Sequence, residues 1–343
     1  MGTALAMASA LRAAAGGPAA ARARPQPLLR RAIRLAAALA ISLAAGVPST
    51  ALPSSAAAPS TELPSSEPPS GASSPAEPSH ALGAGGAPHR IITLAPSATE
   101  LVYAAGAGGD IVGTVLSSDY PAAARRIPRI GDGIQFDQET ILALRPSLVI
   151  GWQPSGASQA LASVLRHLGV PLVYVNPRSL DEIPVQIRDL GRRLGTSPIA
   201  DHAAKALQAR IDALPVPAGP PLSVFIEVGA DPLYTLGRDP LVNGLLSRCG
   251  GANAYADQPA AAPQVNAESV LRIDPDVVIV SPYGRETLAA RRAYWAGLGL
   301  PAAVRGHLYA IDPDWLHRPG PRLVDATEAL CADLERARTD PRS

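Results

Sequence analysis

The chain has 343 residues, a formal net charge of +1, 47% hydrophobic residues and two cysteines. The near-zero charge argues against a nucleic-acid partner. Lys205 is the single lysine beside many arginines, which reads as genome composition, not function.

At the amino end, Arg30, Arg31 and Arg34 precede a short apolar run over residues 35–47, and small residues follow. That is the pattern of a secretory signal, so residues 1–51 read as a signal peptide. The run is too short to span a bilayer comfortably, and no Cys follows it that could carry a lipid anchor. Residues 52–88 are Pro, Ser, Ala and Gly with scattered Glu; they read as a disordered tether because they cannot bury enough apolar area to offset their ordering entropy.

The folded part begins near residue 89. A strand over 90–94 leads to Pro96-Ser97, and Ser97 with Glu100 reads as a capping box opening a helix through about Ala107. A strand follows at 111–115, a helix at 139–144, a buried strand at 148–152, a helix at 160–168 and a strand at 171–175. This alternation predicts parallel α/β structure, and the unbroken apolar run Leu148-Val149-Ile150 fits a sheet covered on both faces. Helical character then dominates residues 184–215, read as one long connecting helix with a Gly195–Pro198 break inside it. The same alternation resumes from the strand at 222–228 to a helix at 322–337. The expected architecture is therefore an amino-terminal lobe over 89–183, a single long backbone helix over 184–215, and a carboxy-terminal lobe over 216–343. Both lobes are expected to be Rossmann-like with parallel sheets.

An internal repeat supports two lobes. Residues 135–150 (QFDQETILALRPSLVI) align without a gap to 264–279 (QVNAESVLRIDPDVVI). Identities recur at Gln135/Gln264, Glu139/Glu268, Leu142/Leu271, Pro146/Pro275, Val149/Val278 and Ile150/Ile279. The period suits a whole domain, and a cleft between domains is where small ligands bind. Favourable interaction with a helix amino terminus explains one such Glu, but not its duplication with its flanks. Matched acids on two lobes suit a two-fold partner carrying basic groups.

No nucleophile elbow, phosphate loop, dinucleotide fingerprint or zinc-protease helix is present. Ser97 has no evident partner as a nucleophile. Of the six histidines, His80 and His89 lie in or beside the tether, and His167 and His202 fall on helices as solvent-facing residues. His307 has no special context. His317 follows a strand end, where ligand loops lie, and competes with the plain reading of an exposed loop histidine. Aromatics are scarce, and Trp152, Tyr234, Trp315, Tyr120 and Tyr283 all follow strands, where flat rings can line a ligand site. Trp295, on a helix, reads as core. Cys249 and Cys331 in an exported chain predict a disulfide; metal ligation is the weaker alternative, since no Cys or His neighbours them at ligand spacing.

With these residues in view, the chain resembles the periplasmic substrate-binding proteins of ABC importers, the group with two lobes joined by a long helix that serves iron-siderophores, haem and cobalamin. Within it the nearest resemblance is to the cobalamin binders. The stretches that carry it are 90–106 (RIITLAPSATELVYAAG), Ser118-Asp119-Tyr120-Pro121, 139–152, PLYTLG at 232–237, Cys249-Gly250-Gly251-Ala252-Asn253, 263–268, DWLHRPGPR at 314–322 and Cys331. The resemblance implies a monomeric, non-enzymatic receptor without cofactor, exported to the periplasm. It implies a tetrapyrrole-like ligand, cobalamin or a related corrinoid, lined by Trp152, Tyr234 and Trp315, to which Tyr120 and His317 are added by their places after strands, and docking of Glu139 and Glu268 onto a dimeric inner-membrane permease. The chain departs from the cobalamin binders where their other cleft aromatics align with Ser117, Gly133 and Ala262. Haem ligation by His317 or a cleft Tyr, an anionic siderophore held by Arg238, Arg318 and Arg322, and a metal-dependent chelatase-like enzyme stand as alternatives.

Overall fold

The computed structural model describes residues 89–281 and 287–340. The expected signal peptide, the tether, His80 and Tyr283 lie outside the described residues.

The amino-terminal lobe contains β1 (Ile91–Thr93), α1 (Pro96–Ala104), β2 (Ile111–Thr114), α2 (Gln138–Ala143), β3 (Leu148–Gly151), α3 (Gly156–His167) and β4 (Leu172–Tyr174). Its four strands run in the order β2-β1-β3-β4, all parallel. β1 and β3 are wholly buried, as expected of central strands covered by helices on both faces.

Two helices follow, α4 (Glu182–Leu194) and α5 (Ser197–Asp212). The expected single connecting helix is thus corrected to a helical hairpin. Gly195 takes a left-handed conformation, φ 72°, and ends α4, and Pro198 sits in the first turn of α5. The two helices run antiparallel. Gly191 faces Ala200 so closely that a Cβ on it would stand 2.2 Å from the alanine methyl, and Gln208 reaches back to Asp181 at 3.2 Å.

The carboxy-terminal lobe contains β5 (Leu222–Ala230), β6 (Leu233–Thr235), α6 (Pro240–Arg248), β7 (Gly251–Asn253), α7 (Ala267–Ile273), β8 (Val277–Val280), α8 (Leu288–Gly297), α9 (Pro301–Arg305), β9 (Leu308–Ala310), α10 (Pro313–Leu316) and α11 (Leu323–Thr339). β5, β8 and β9 pair in parallel, and β7 pairs in parallel with the start of β5. β6 pairs with the end of β5 antiparallel, so this sheet is mixed and not wholly parallel as expected. The cause is the short turn at residues 231–232, too short for a crossover helix.

The repeat is visible in three dimensions. Asp137 and Asn266 each cap a helix by accepting from the backbone N–H three residues on, at Thr140 and Ser269. Arg145 and Asp274, the residues before Pro146 and Pro275, take φ 46° and 49°. β3 and β8 then enter the centre of their respective sheets.

One apolar core runs through both lobes. It joins Ile91 and Ile150 to Ile187 and Leu190 of α4, Ala204 and Ile211 of α5, Ile226 and Ile279, and Leu330 and Leu334 of α11. Arg210 of α5 forks onto Asp325 and Glu328 of α11 at 2.5 and 2.7 Å, tying the connector to the second lobe. Trp295 is fully buried, as expected, and donates from Nε1 to Glu227 at 2.6 Å. Cys249 and Cys331 form the expected disulfide, joining the end of α6 to α11. Among the described residues no helix is long and apolar enough to cross a membrane.

Candidate functional site

A cavity of about 350 Å³ opens between the lobes. The first lobe contributes Trp152, Gln153 and Pro154 after β3, and Asn176, Pro177 and Arg178 after β4. The second contributes Asp239, Pro240 and Leu241 at the start of α6, with Ala261 and Pro319. The first-lobe walls thus lie beyond the carboxyl ends of β3 and β4, where open α/β sheets bind ligands, and the volume falls within the ordinary ligand range.

Local chemistry explains the walls. Asp239 caps α6, its Oδ1 accepting from the N–H groups of Leu241 and Val242 at 3.0 and 3.1 Å. Gly237 lets the next loop close over it: a Cβ there would lie 2.2 Å from the Ala260 carbonyl. With Gly237 N–H donating to Ala261 and Arg238 N–H to Gln258, Ala261 is set into the wall. Trp152 packs its ring on the core, and its buried indole N–H has no acceptor among the described residues.

The other expected ligand residues are placed differently. Tyr234, on β6, and Trp315, on α10, are half-buried and pack against the main core. Neither lines the cavity. Tyr120 is 47% exposed, with the Arg322 guanidinium 4.2 Å from its ring centre. His317 is half-buried, not an exposed loop residue, and its Nε2 faces the Ser281 carbonyl at 3.4 Å. Desolvation pushes its pKa down to about 4, opposed by that carbonyl and by Asp312, so the ring is neutral at pH 7. Gly133 has φ 96°, a backbone that residues with a side chain rarely adopt.

The capping box at Ser97 and Glu100 is not formed. Ala95 caps α1 without a side-chain bond, Pro96 starts the helix, and Ser97 and Glu100 are both buried inside it. Glu100 instead meets the second lobe. Arg322 donates to it through Nε at 3.0 Å and Nη2 at 2.7 Å. Arg318 lies 3.5 Å from Glu100, 2.8 Å from Asp119 and 2.7 Å from Asp314. Burial raises the Glu100 pKa against the lowering effect of both arginines, and the surrounding carboxylates raise both arginines above their ordinary values despite burial. Arg318 and Arg322 are therefore committed to carboxylates, which removes them as free cations for an anionic chelate. The signal for this pair was a glutamate embedded in an apolar helix, which the capping pattern disguised.

Glu139 and Glu268 are both exposed, in the first turns of α2 and α7, one on each lobe. His167 and His202 are exposed on helices as expected, whereas His307 is buried beside Asp340 at 3.3 Å. Among the described residues no group of three or more His, Cys, Asp or Glu is placed to hold a metal ion.

Two α/β lobes on a helical connector, with a cavity between them, define a bilobal binding protein. The chain belongs to the Periplasmic binding protein family, which it matches over residues 91–315. A vitamin B12-binding protein of Pectobacterium atrosepticum is 32% identical over 264 residues, 75% of this chain and 92% of that protein. One of Vibrio cholerae is 34% identical over 248 residues, 72% of this chain and 89% of that protein. Among solved structures, the periplasmic vitamin B12 binding protein BtuF of Vibrio cholerae is similar at a TM-score of 0.67 and 33% identity, over 74% of this chain and 98% of that one. The periplasmic heme-binding protein RhuT from Roseiflexus sp. RS-1 is similar at 0.64 and 30%, over 73% and 99%.

Proposed function

We propose that the chain is an exported receptor that captures cobalamin or a related corrinoid between its lobes and delivers it to an inner-membrane ABC importer. The observation that carries this reading is an interlobar cavity walled by Trp152 in a chain whose full-length relatives include vitamin B12-binding proteins. Trp152 offers a rigid ring face, and Tyr120 an open one. Tyr234, Trp315 and His317 do not line this cavity, and their assignment to the ligand rests on their places after strand ends. Capture is by shape and apolar contact, with no covalent step and no resident cofactor. Glu139 and Glu268, matched in position and exposed, meet basic groups on a two-fold permease, steering association and fixing register. The amino-terminal 51 residues export the chain to the periplasm, where it acts as a monomer.

The likeness to a heme-binding protein supports a second reading, with haem in the same cleft. It favours Tyr120 over His317 as iron ligand, because the histidine Nε2 is turned to a backbone carbonyl. Purification of the chain from cells supplied with both cobalamin and haemin separates the readings. The corrinoid absorption at one equivalent is expected; a Soret band without corrinoid would move the ligand to haem.

A further inference from the structure

The cavity wall carries one cationic side chain with no ion-pair partner among the described residues. Asp239 and Arg178 are its two ionisable residues. Asp239 already accepts two backbone N–H bonds as the cap of α6. Arg178 differs. Its backbone N–H donates to Glu182 at 2.7 Å, which fixes the loop after β4, while its guanidinium meets no carboxylate at ion-pairing distance among the described residues. The contrast with the neighbouring arginines is informative. Arg318 and Arg322 at the lobe boundary are held by Glu100, Asp119 and Asp314. Arg178 is the one arginine among the residues that line the cavity, and Asn176 lines it two positions earlier.

We infer that Arg178 is a specificity-determining residue that receives an anionic group of the ligand. This rests on the corrinoid reading and sharpens it. A corrinoid's amide side chains are neutral, and its formal anion outside the metal-ring core is the phosphodiester of the nucleotide loop. A guanidinium pairs with a phosphate through two parallel hydrogen bonds. The site is thus built for a complete, phosphodiester-bearing corrinoid in preference to a loop-less one. A charge-assisted hydrogen bond at a partly exposed site discriminates by about tenfold, and salt screens it because the wall is open to water.

The test titrates the folded chain with cyanocobalamin and with dicyanocobinamide, which lacks the nucleotide loop, at low and high ionic strength. Wild type is expected to prefer cyanocobalamin by about tenfold, and the preference shrinks with salt. In Arg178→Met the preference falls below about threefold and loses its salt dependence, while Arg178→Lys retains part of it. Unchanged melting temperature in both variants confirms that an exposed side chain has been altered without unfolding. Equal wild-type affinities, or a preference that survives in Arg178→Met, would overturn the assignment of Arg178 while leaving the corrinoid reading standing. Failure of both compounds to bind wild type would overturn the corrinoid reading and this inference with it.

Discussion

Trp152 combines two duties in one side chain. Its ring is packed on the core at the end of β3 and also forms part of the cavity wall. Truncating an anchoring aromatic in a binding site costs about 2 kcal/mol or more, so Trp152→Ala is expected to weaken ligand about 30-fold by calorimetry, with a smaller loss of melting temperature from the lost packing. His317 makes a pH prediction. Its pKa is depressed to about 4 in the folded chain, below the ordinary histidine value. The unfolded chain therefore takes up this proton first as pH falls, and the histidine's contribution to stability is lost between about pH 6.5 and 4. Glu100, with its pKa raised, acts in the opposite sense over an overlapping range. The histidine's share is thus read as a difference: His317→Gln should lose less stability than wild type on acidification across that window, in denaturant titrations at each pH. Parallel losses would show that His317 ionises freely in the fold. At this scale, position after a strand pointed to Trp152, which lines the cavity. Tyr234 and Trp315 hold the same kind of position yet pack against the core, so position after a strand does not by itself decide which rings reach the cavity.

The short helix and central strand of the repeated element were readable because both are local, whereas the caps emerge only in the structure. Asp137 and Asn266 cap, Pro146 and Pro275 stop, and the apolar runs enter the sheets. The connector was read less well. Composition shows helix on both sides of Gly195, but whether a break bends or folds back depends on how closely the two helices can pack, here Gly191 against Ala200. Gly191→Val should therefore be far more disruptive than Gly195→Ala. The latter has open space around its new Cβ and a left-handed backbone cost of about 1 kcal/mol; urea midpoints distinguish them. Similar losses for the two would contradict the hairpin packing. The disulfide closes a loop of 82 residues, and its removal in Cys249→Ser with Cys331→Ser should cost about 4–5 kcal/mol in the chain-entropy account, measured as a lowered denaturation midpoint.

At the scale of the molecule, the lobes are joined by a core that passes through α4 and α5 into α11, and by the buried cluster of Glu100 and Asp119 with Arg318 and Arg322. Pairing across lobes could not be read from sequence, since the partners are 222 residues apart. Removing one member of a buried ion pair leaves the other uncompensated, typically at about 3–5 kcal/mol. Glu100→Gln is expected to lose that much and to broaden the distance between spin labels on the two lobes; a distribution as narrow as wild type would show that the core alone sets the lobe geometry. With the lobes so joined, closure on ligand is small, and scattering should show little change in radius of gyration. Reversing both Glu139→Lys and Glu268→Lys should abolish transport without changing ligand affinity, because neither lines the cavity. The most direct measurement is calorimetric titration of the chain from residue 52 onward with cyanocobalamin, with haemin run in parallel. Tight one-to-one binding of cyanocobalamin, weakened by Trp152→Ala, is predicted. Tight haemin binding with no heat from cyanocobalamin would contradict the corrinoid assignment while leaving the fold and its family unchanged.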